Sequence, residues 1–381
     1  MSAVMETIYA DAFRKFLSAA SEPGGLTRLR EQSFALFTQM GFPTVKSEDW
    51  KYTNAAPIVS AEWTITPPKL KAPADIDLAL LTRFESGRNG FAALNLAFAD
   101  IATLRIAKDT AVDIPVEFNF ASEAGKASFP HLLVIAGAGS KATIVETYNG
   151  KSTSFTNAAI QIVVEDNANL THYRVQEDSA EAFHYGVTEV SLGRGSVYNS
   201  TNINLGGAIS RHDIEVKFLA EGGEAWVDGL YMLEGIQHAD THSIIDHTMP
   251  NCTSHQNYKG VMNEKSRAVF NGKVFVRENA HGTDARQSNK NLLLSNEARV
   301  DTKPQLEIFN DDVKCAHGAT VGQLEEEELF YLLTRGLPEN LARNLLTYGF
   351  VEEILNKIGI DTIKSELDAL VLNRLNVKLE V

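Results

Sequence analysis

A thiol and an imidazole stand two positions apart in the segment from Asp312 to Gly322, where one alanine separates Cys315 from His317. Sulfur and imidazole nitrogen are both ligands for soft or borderline metal ions. If the segment is extended, residues two apart project from the same face of the strand, so Cys315 and His317 would present both groups to one atom. The alternative is that Cys315 packs as a small hydrophobic residue beside a hydrogen-bonded His317.

A second group of metal-capable side chains lies between His238 and His247, with His255 following it. The imidazole spacings resemble a metal-binding helix face, but the β-branched residues between the histidines favour a strand. On a strand, His238 and His242 share one face while His247 points to the other. We therefore expect hydrogen-bonded or exposed polar side chains here rather than a metal site.

Five aspartates raise a different hypothesis, a carbohydrate-active enzyme, because enzymes acting on sugars use paired carboxylates. The sequence by itself places no two of them together. It also contains no phosphate-binding glycine-rich loop ending in Lys-Ser/Thr and no Gly-x-Ser-x-Gly nucleophile motif, so we do not expect the chain to hydrolyse nucleotides. The five residues are Asp228, Asp240, Asp246, Asp284 and Asp301.

The elements that must position these residues follow a loose repeat in the middle of the chain. A small or short residue, followed two positions later by a bulky apolar one, recurs at intervals of 26, 27, 29, 43 and 31 residues. Stacked coils of short strands, a solenoid of the β-helix kind, produce such a repeat; an antiparallel sandwich is the alternative, although the intervals are long for single hairpins. The pairs are Ala142/Ile144, Ala168/Leu170, Gly195/Val197, Glu224/Trp226, Arg267/Val269 and Ala298/Val300.

Helical patterns precede and follow the repeat. Two short helices are predicted between Met5 and Phe42, separated by Pro23-Gly24-Gly25, and short strands rather than helices are predicted from Phe91 to Phe120.

After Gly322, carboxylates in a first helical turn and a break at Gly336 and Pro338 predict three helices, the last with Asp361 as its N-cap. The apolar stripe of the second helix is expected to contain Leu341, Leu345, Phe350, Ile354 and Ile358. The sequence thus predicts a mainly β protein in three parts: an N-terminal helical and irregular region (1–95), a parallel β-helix core (96–322) and a C-terminal helical domain (323–381).

Composition limits the environment and the partners. The chain of 381 residues has a net charge of −14 and a pI near 5.2, which argues against nucleic acid or an anionic membrane as the main partner. Two cysteines are too few for a disulfide framework and favour a reducing compartment. Because we find neither a secretory apolar core nor an apolar run long enough to span a bilayer, we expect a cytoplasmic protein.

Motifs in the second half of the chain resemble the SufB/SufD family of the SUF iron–sulfur cluster assembly system. Two upstream segments, Pro250–Cys252 and Glu48–Thr53, resemble it as well. The sequence of Thr302–Leu306 and the modest length of the chain favour the SufD members of this family over the homologous SufB-type scaffold. The motifs are Tyr258–Val261, Arg267–Lys273, Thr283–Ala285, Asn289–Ser295, Thr302–Ile308, Asp312–Gly322, Leu329–Leu332 and Arg335–Gly336.

The resemblance implies a right-handed parallel β-helix between helical ends and a non-catalytic scaffold subunit that pairs with SufB. It also implies binding of the ATPase SufC, which carries the ATPase activity, through the C-terminal helical region. Cys315 and His317 match the family's interface positions, with His317 the stronger candidate ligand of a transient iron–sulfur cluster. The resemblance leaves open whether the isolated chain forms a homodimer. The residues assigned to SufC binding are Leu333, Thr334, Arg335, Gly336, Leu337 and Pro338.

The cysteine count independently limits how such a cluster could be held. Iron–sulfur clusters are usually bound by four thiolates, sometimes with imidazole in place of sulfur. Cys252 and Cys315 are the only cysteines of the chain. We therefore expect no stably bound cofactor on the isolated chain and a site whose ligands come from two subunits.

Overall fold

The fold is a parallel β-helix made of two sheets, with helical regions before and after it in the chain. A computed structural model describes residues 3–19, 22–65 and 76–375. The helices are α1 (Ala3–Ala19), α2 (Gly24–Met40), α3 (Ala56–Ser60), α4 (Leu78–Leu81), α5 (Gly90–Phe98), α6 (Glu326–Thr334), α7 (Glu339–Leu355) and α8 (Asp361–Arg374), with 3-10 turns at Glu48–Trp50 and Ser86–Arg88. The strands are β1 (Thr64–Ile65), β2 (Asp100–Ile106), β3 (Val116–Ser122), β4 (Lys126–Ser128), β5 (Pro130–Ala136), β6 (Lys141–Gly150), β7 (Phe155–Val164), β8 (Asn169–Gln176), β9 (Phe183–Leu192), β10 (Val197–Asn204), β11 (Ile209–Phe218), β12 (Glu224–Leu233), β13 (His238–His247), β14 (Thr253–Met262), β15 (Arg267–Val276), β16 (Thr283–Leu293), β17 (Arg299–Ile308) and β18 (Val313–Gly322).

From β5 onward, successive strands alternate between a ten-stranded sheet, sheet A, and an eight-stranded sheet, sheet B. Leu170 of β8 is in register with Tyr198 of β10, and Tyr198 with Ala225 of β12, so one coil takes about 28 residues. Strand pairs are parallel throughout the described residues. The predicted β-helix is therefore confirmed, and the antiparallel sandwich is wrong.

The interval of 43 residues in the sequence repeat has a structural cause. The first four residue pairs lie at strands β6, β8, β10 and β12 of sheet B, whereas the last two lie at β15 and β17 of sheet A. On sheet B, the positions in register with Trp226 are His255 and then Arg286. The coils continue with a regular length, but the later residue pairs of the sequence repeat lie on sheet A instead of sheet B.

Two ladders of in-register residues line the interior of the solenoid, and His317 is the last residue of one of them. On sheet A the ladder is aliphatic, and each fully buried member stabilises the fold by about 1.5 to 3 kcal/mol. It consists of Val134, Ile162, Val190, Val216, Ile245, Val274 and Leu306. On sheet B the ladder is mixed, and we call it the His317 ladder. It consists of Ile144, His172, Ser200, Val227, Gln256, Gln287 and His317.

The N-terminal region packs on sheet A, and helix α5 is its buried centre. The prediction of strands from Phe91 is wrong for residues 91–98, because this helix is buried on every side and so shows no amphipathic period. The side chain of Asn89 caps the helix by accepting from the backbone N–H groups of Phe91 and Ala92. The domain boundary placed at residue 95 lies inside this helix, and β2 begins at Asp100.

Helices α1 and α2 confirm the two predicted N-terminal helices. Gly41 ends α2 with a φ of 66° and donates its N–H to the carbonyl of Phe37. The buried side chain of Arg30 on α2 donates to the carbonyls of Ala97 and Ala99 at the end of α5. This contact joins the helical layer to the start of the solenoid.

The C-terminal helices cover only part of the outer face of sheet B. Helices α7 and α8 bury Val351, Ile354 and Leu367 against sheet B, whereas α6 has no buried residue. Leu341 and Leu345, expected on the buried stripe of α7, are exposed because the face that packs on the sheet is the one carrying Val351 and Ile354.

Two smaller findings complete the fold. Asp361 is the first residue of α8 rather than its N-cap, which is Ile360. In the described part of the chain, no helix combines the length and the apolar character needed to cross a membrane.

Candidate functional site

The solenoid ends with two open strands. Within the described residues, β17 is the last strand of sheet A and β18 the last of sheet B, and each pairs with one neighbour only. The backbone N–H and C=O groups along a free edge are able to pair with a further strand from another chain. The last coil is therefore the place where the interior of the solenoid meets its surroundings.

Cys315 and His317 lie on the same row of β18, as their spacing predicts. Cys315 is in register with Ala285, is half-buried, and packs against the solenoid core, so burial raises the pKa of its thiol. His317 is in register with Gln287 and is exposed. The strand thus places a shielded sulfur beside an accessible imidazole at the open end.

A cavity of about 310 Å³ adjoins His317 on the outer side of sheet B. Trp226 and His255 stack in its wall with ring centroids 4.2 Å apart and an interplanar angle of 5°. Asp228 lines it as well, and burial raises the pKa of this carboxyl to about 6, although Lys357 nearby opposes the shift. The outer face of sheet B next to His317 is therefore polar and aromatic rather than aliphatic.

The second cysteine has a different environment. Cys252 is fully buried in the turn before β14, and its thiol donates to the carbonyls of Ala220 and Pro250 at 3.5 and 3.4 Å. Burial raises the pKa of this thiol too. Cys252 is thus enclosed by the chain, whereas Cys315 packs on the core from a half-buried position at the open end.

The histidines from His238 to His247 lie on β13 and are distributed as the strand interpretation predicts. His238 and His242 flank Asp240 on the outer face, where Thr53 and Arg211 also bind this carboxylate.

These contacts account for the ionisation of Asp240. Burial opposes it, but His242 and Arg211 outweigh burial and hold the pKa of Asp240 well below its usual range. His247 lies inside the solenoid, stacked on Phe218 with a centroid distance of 4.5 Å. Among the described residues, no group of three or more His, Cys, Asp or Glu side chains is arranged to hold a metal ion.

The five aspartates do not form a catalytic carboxylate pair. Four of them face basic side chains instead, and Asp301 is exposed on β17. A carbohydrate-active site needs two carboxylates on either side of a bond, so the arrangement does not favour that hypothesis. The pairs are Asp228–Lys357, Asp240–Arg211, Asp246–Arg277 and Asp284–Arg286.

The segment from Leu333 to Pro338 joins α6 to α7 and is exposed or half-exposed throughout. Five exposed apolar side chains lie on the two helices that this segment joins, and we call this set the α6 face. The sequence pattern missed two of its five residues, because Leu341 and Leu345 have the spacing of a buried stripe. The α6 face consists of Phe330, Tyr331, Leu333, Leu341 and Leu345.

Comparison with known families matches two models, the SufBD core domain of SUF-system FeS cluster assembly over residues 118–350 and the SufBD N-terminal region over residues 4–80. The chain belongs to the SufBD family. This confirms the resemblance carried by the motifs between Tyr258 and Gly336. The core match includes the strands from β6 to β18 and both residues of the candidate pair.

Two curated relatives show which members of the family this chain is similar to. An iron–sulfur cluster assembly SufBD family protein of Synechocystis is 37% identical over 74% of this chain and 65% of its own length. The iron–sulfur cluster assembly protein SufD of Escherichia coli is 34% identical over 66% of this chain and 60% of its own length. The alignments thus span less than two thirds of either relative. The chain is a SufD homologue among iron–sulfur cluster assembly proteins.

Proposed function

We propose that this SufBD family member is a non-catalytic scaffold subunit of a SUF complex, which pairs with a SufB-like scaffold through the open end of its solenoid. The observation that carries the proposal is the placement of Cys315 and His317 side by side on the last strand of sheet B. A nascent iron–sulfur cluster is the cargo of this interface. His317 is the accessible ligand, and Cys315 supports it from the half-buried position beside it.

The donor set of the chain supports a shared site. Thiolate and imidazole both suit iron–sulfur chemistry, but a cluster needs about four such ligands. The described part of the chain brings no third ligand to the pair. The missing ligands then come from the partner scaffold, and the isolated chain binds no cluster stably.

The edges of the last coil support pairing with another chain. Ile308 and Phe309 at the end of β17 and Val321 on β18 are exposed apolar side chains beside the free strand edges. A second solenoid can continue both sheets across these edges. A SufB-like scaffold is the proposed partner in the complex, and a second copy of this chain can take its place in isolation.

A SufC-like ATPase is the proposed second partner, bound by the α6 face and the segment Leu333–Pro338. Phe330 is 67% exposed and Tyr331 56% exposed, although both rings are large and apolar. Exposed apolar surface of this kind marks protein interaction sites. The ATPase activity would then reside in the partner. We also propose a cytoplasmic location, since both cysteines are free thiols.

The site is tested by His317→Ala in the complex co-expressed with both partners. We expect cluster yield, measured by iron content and visible absorbance, to fall about tenfold or more, because an open ligand position is lost. The complex should still elute as one species, since His317 is exposed. His255→Ala is the matched control, because His255 lines the same cavity from the outer face. Undiminished cluster yield in His317→Ala would refute the site.

The second partner is tested by Phe330→Ser combined with Leu333→Ser. We expect co-purification with the ATPase to be lost while the melting temperature stays within about 2 °C, since α6 buries no residue. Ile236→Ser, at an exposed apolar residue 81% accessible on the solenoid, serves as the control. Retained binding by the double variant would exclude the α6 face.

A further inference from the structure

The residue beneath His317 on its ladder is the glutamine Gln287, which the sequence motifs did not single out. Gln287 lies on β16. It is in register with His317 of the last coil on one side and with Gln256 of β14, in the preceding coil, on the other. It is 3% exposed, whereas His317 is exposed. Adjacent positions of the ladder therefore hold a buried amide and an accessible imidazole.

A chain of side-chain hydrogen bonds holds Gln287 and ends at an unused acceptor. The amide nitrogen of Gln256 donates to the hydroxyl of Ser243 at 2.8 Å, and the amide nitrogen of Gln287 donates to Oε1 of Gln256 at 2.6 Å. Oε1 of Gln287 is buried and has no hydrogen-bond partner among the described residues. A buried carbonyl without a donor costs about 1 to 3 kcal/mol, so this acceptor requires an explanation.

Space on the facing sheet supports this placement of the amide. Gly272 of β15 is opposite, and a Cβ atom there would come within 2.3 Å of Nε2 and 2.8 Å of Cδ of Gln287. A glycine at this position therefore leaves room for the amide inside the solenoid. The geometry holds the nitrogen toward Gln256 and leaves the oxygen as the free end of the chain.

We infer that Gln287 is the positioning residue of His317: its Oε1 accepts the N–H of one ring nitrogen and leaves the other nitrogen free for iron at the open end. Adjacent strands lie about 4.8 Å apart, so the in-register side chains of His317 and Gln287 are close enough for the exposed ring to meet this acceptor after rotation about its side-chain bonds. Ligating histidines commonly use their second nitrogen in this way, which selects the tautomer and raises the basicity of the ligand. This inference rests on the proposed role of His317 and adds the group that orients it.

The orientation is tested by nitrogen NMR of the ¹⁵N-histidine-labelled full chain, with the signals of His317 assigned from His317→Ala. Gln287→Met keeps the length of the side chain but removes the acceptor. We expect it to change the ratio of the two neutral tautomers of His317 by about two- to tenfold. Gln287→Glu retains an acceptor and should keep the wild-type tautomer preference.

The matched control is Thr302→Val on β17. Its hydroxyl is another buried group without a hydrogen-bond partner at the open end, but it is on the ladder of Phe270 in sheet A. The replacement is nearly isosteric and should leave the tautomer ratio of His317 unchanged. If Gln287→Met leaves that ratio unchanged, or Thr302→Val alters it equally, the inference is overturned.

The role toward iron is measured separately, as the affinity of the assembled complex for Fe²⁺ alone under anaerobic conditions. Gln287→Met should weaken it by about tenfold. A changed tautomer ratio with unchanged Fe²⁺ affinity overturns the inference, since Gln287 would then orient His317 without serving a ligand. The proposed function fails differently: full cluster yield in His317→Ala refutes it whatever the NMR of Gln287→Met shows.

Discussion

His172 and His317 occupy the same ladder of sheet B, but one lies inside the solenoid and the other at its end. His172 is fully buried, and its two ring nitrogens lie 2.6 Å from Oε1 of Glu146 and 2.9 Å from the hydroxyl of Tyr198. His317 is exposed, and within the described residues no hydrogen bond reaches its ring. Equivalent positions on one ladder therefore hold one imidazole with two partners and one with none.

The difference shows how the place of a residue in a solenoid decides whether its polar groups find partners within the chain. A residue in a middle coil has neighbours in the coil before and the coil after, so its polar groups find partners within the chain. A residue in the last coil has a neighbour on one side only. Its polar groups then lack a partner on the other side, which agrees with the ligand role proposed for His317.

The largest effect expected from this comparison is that of Glu146→Ala. Burial opposes the ionisation of Glu146, but His172 and Arg174 outweigh it and keep the pKa of this carboxyl below its usual range. Its removal leaves His172 and the hydroxyl of Tyr148 without their acceptor, so we expect a loss of about 3 to 5 kcal/mol in the free energy of unfolding.

The matched variant His317→Ala should cost less than about 0.5 kcal/mol, because the imidazole is exposed. Urea denaturation of both variants measures the two values. Similar losses in both variants would remove the distinction between the middle and the end of the solenoid.

A second prediction concerns the pH dependence of the middle coils. Burial lowers the pKa of His247 to about 4, against about 6.5 in an unfolded chain. Between these values the unfolded state binds the proton and the folded state does not, so the free energy of unfolding falls as the pH drops from about 6.5 to 4. The share of His247 is about 3 kcal/mol.

His247→Gln, which cannot take up the proton, should therefore lose less stability than the parent chain over this range. Thermal denaturation at several pH values measures the two slopes. Equal slopes would show that His247 does not carry the pH dependence.

The smallest effect compares two glycines. A Cβ at Gly229 would come within 2.1 Å of the buried ring of Tyr258, whereas a Cβ at Gly272 would meet the amide end of Gln287. A ring held in a packed core moves less easily than the end of a flexible chain, so we expect Gly229→Ala to cost about 2 kcal/mol and Gly272→Ala about 1 kcal/mol. Melting temperatures measure both losses, and a larger loss in Gly272→Ala than in Gly229→Ala would contradict this ranking.

Local patterns predicted the elements whose environments match their periods. The helices α1 and α2 followed from apolar spacing and from the break at Pro23-Gly24-Gly25, and the coil length followed from the repeat between β6 and β12. Helix α5 was missed because it is buried on all sides and so has no polar face to reveal its period. Leu341 was placed on the wrong face because helical spacing indicates an apolar stripe but not which surface covers it.

The sequence by itself determined the class of the fold, the family through its ordered motifs, and the placement of Cys315 and His317 on one face of a strand, because these depend on residues close together in the chain. Only the tertiary structure decided that His317 is exposed on the last coil, that Gln287 lies beneath it, and that Cys252 is sealed in the core. The physical reason is that the surroundings of each of these residues are set by its neighbours in the adjacent coils of the solenoid. These neighbours are about 30 residues apart, and no local pattern states whether another coil follows.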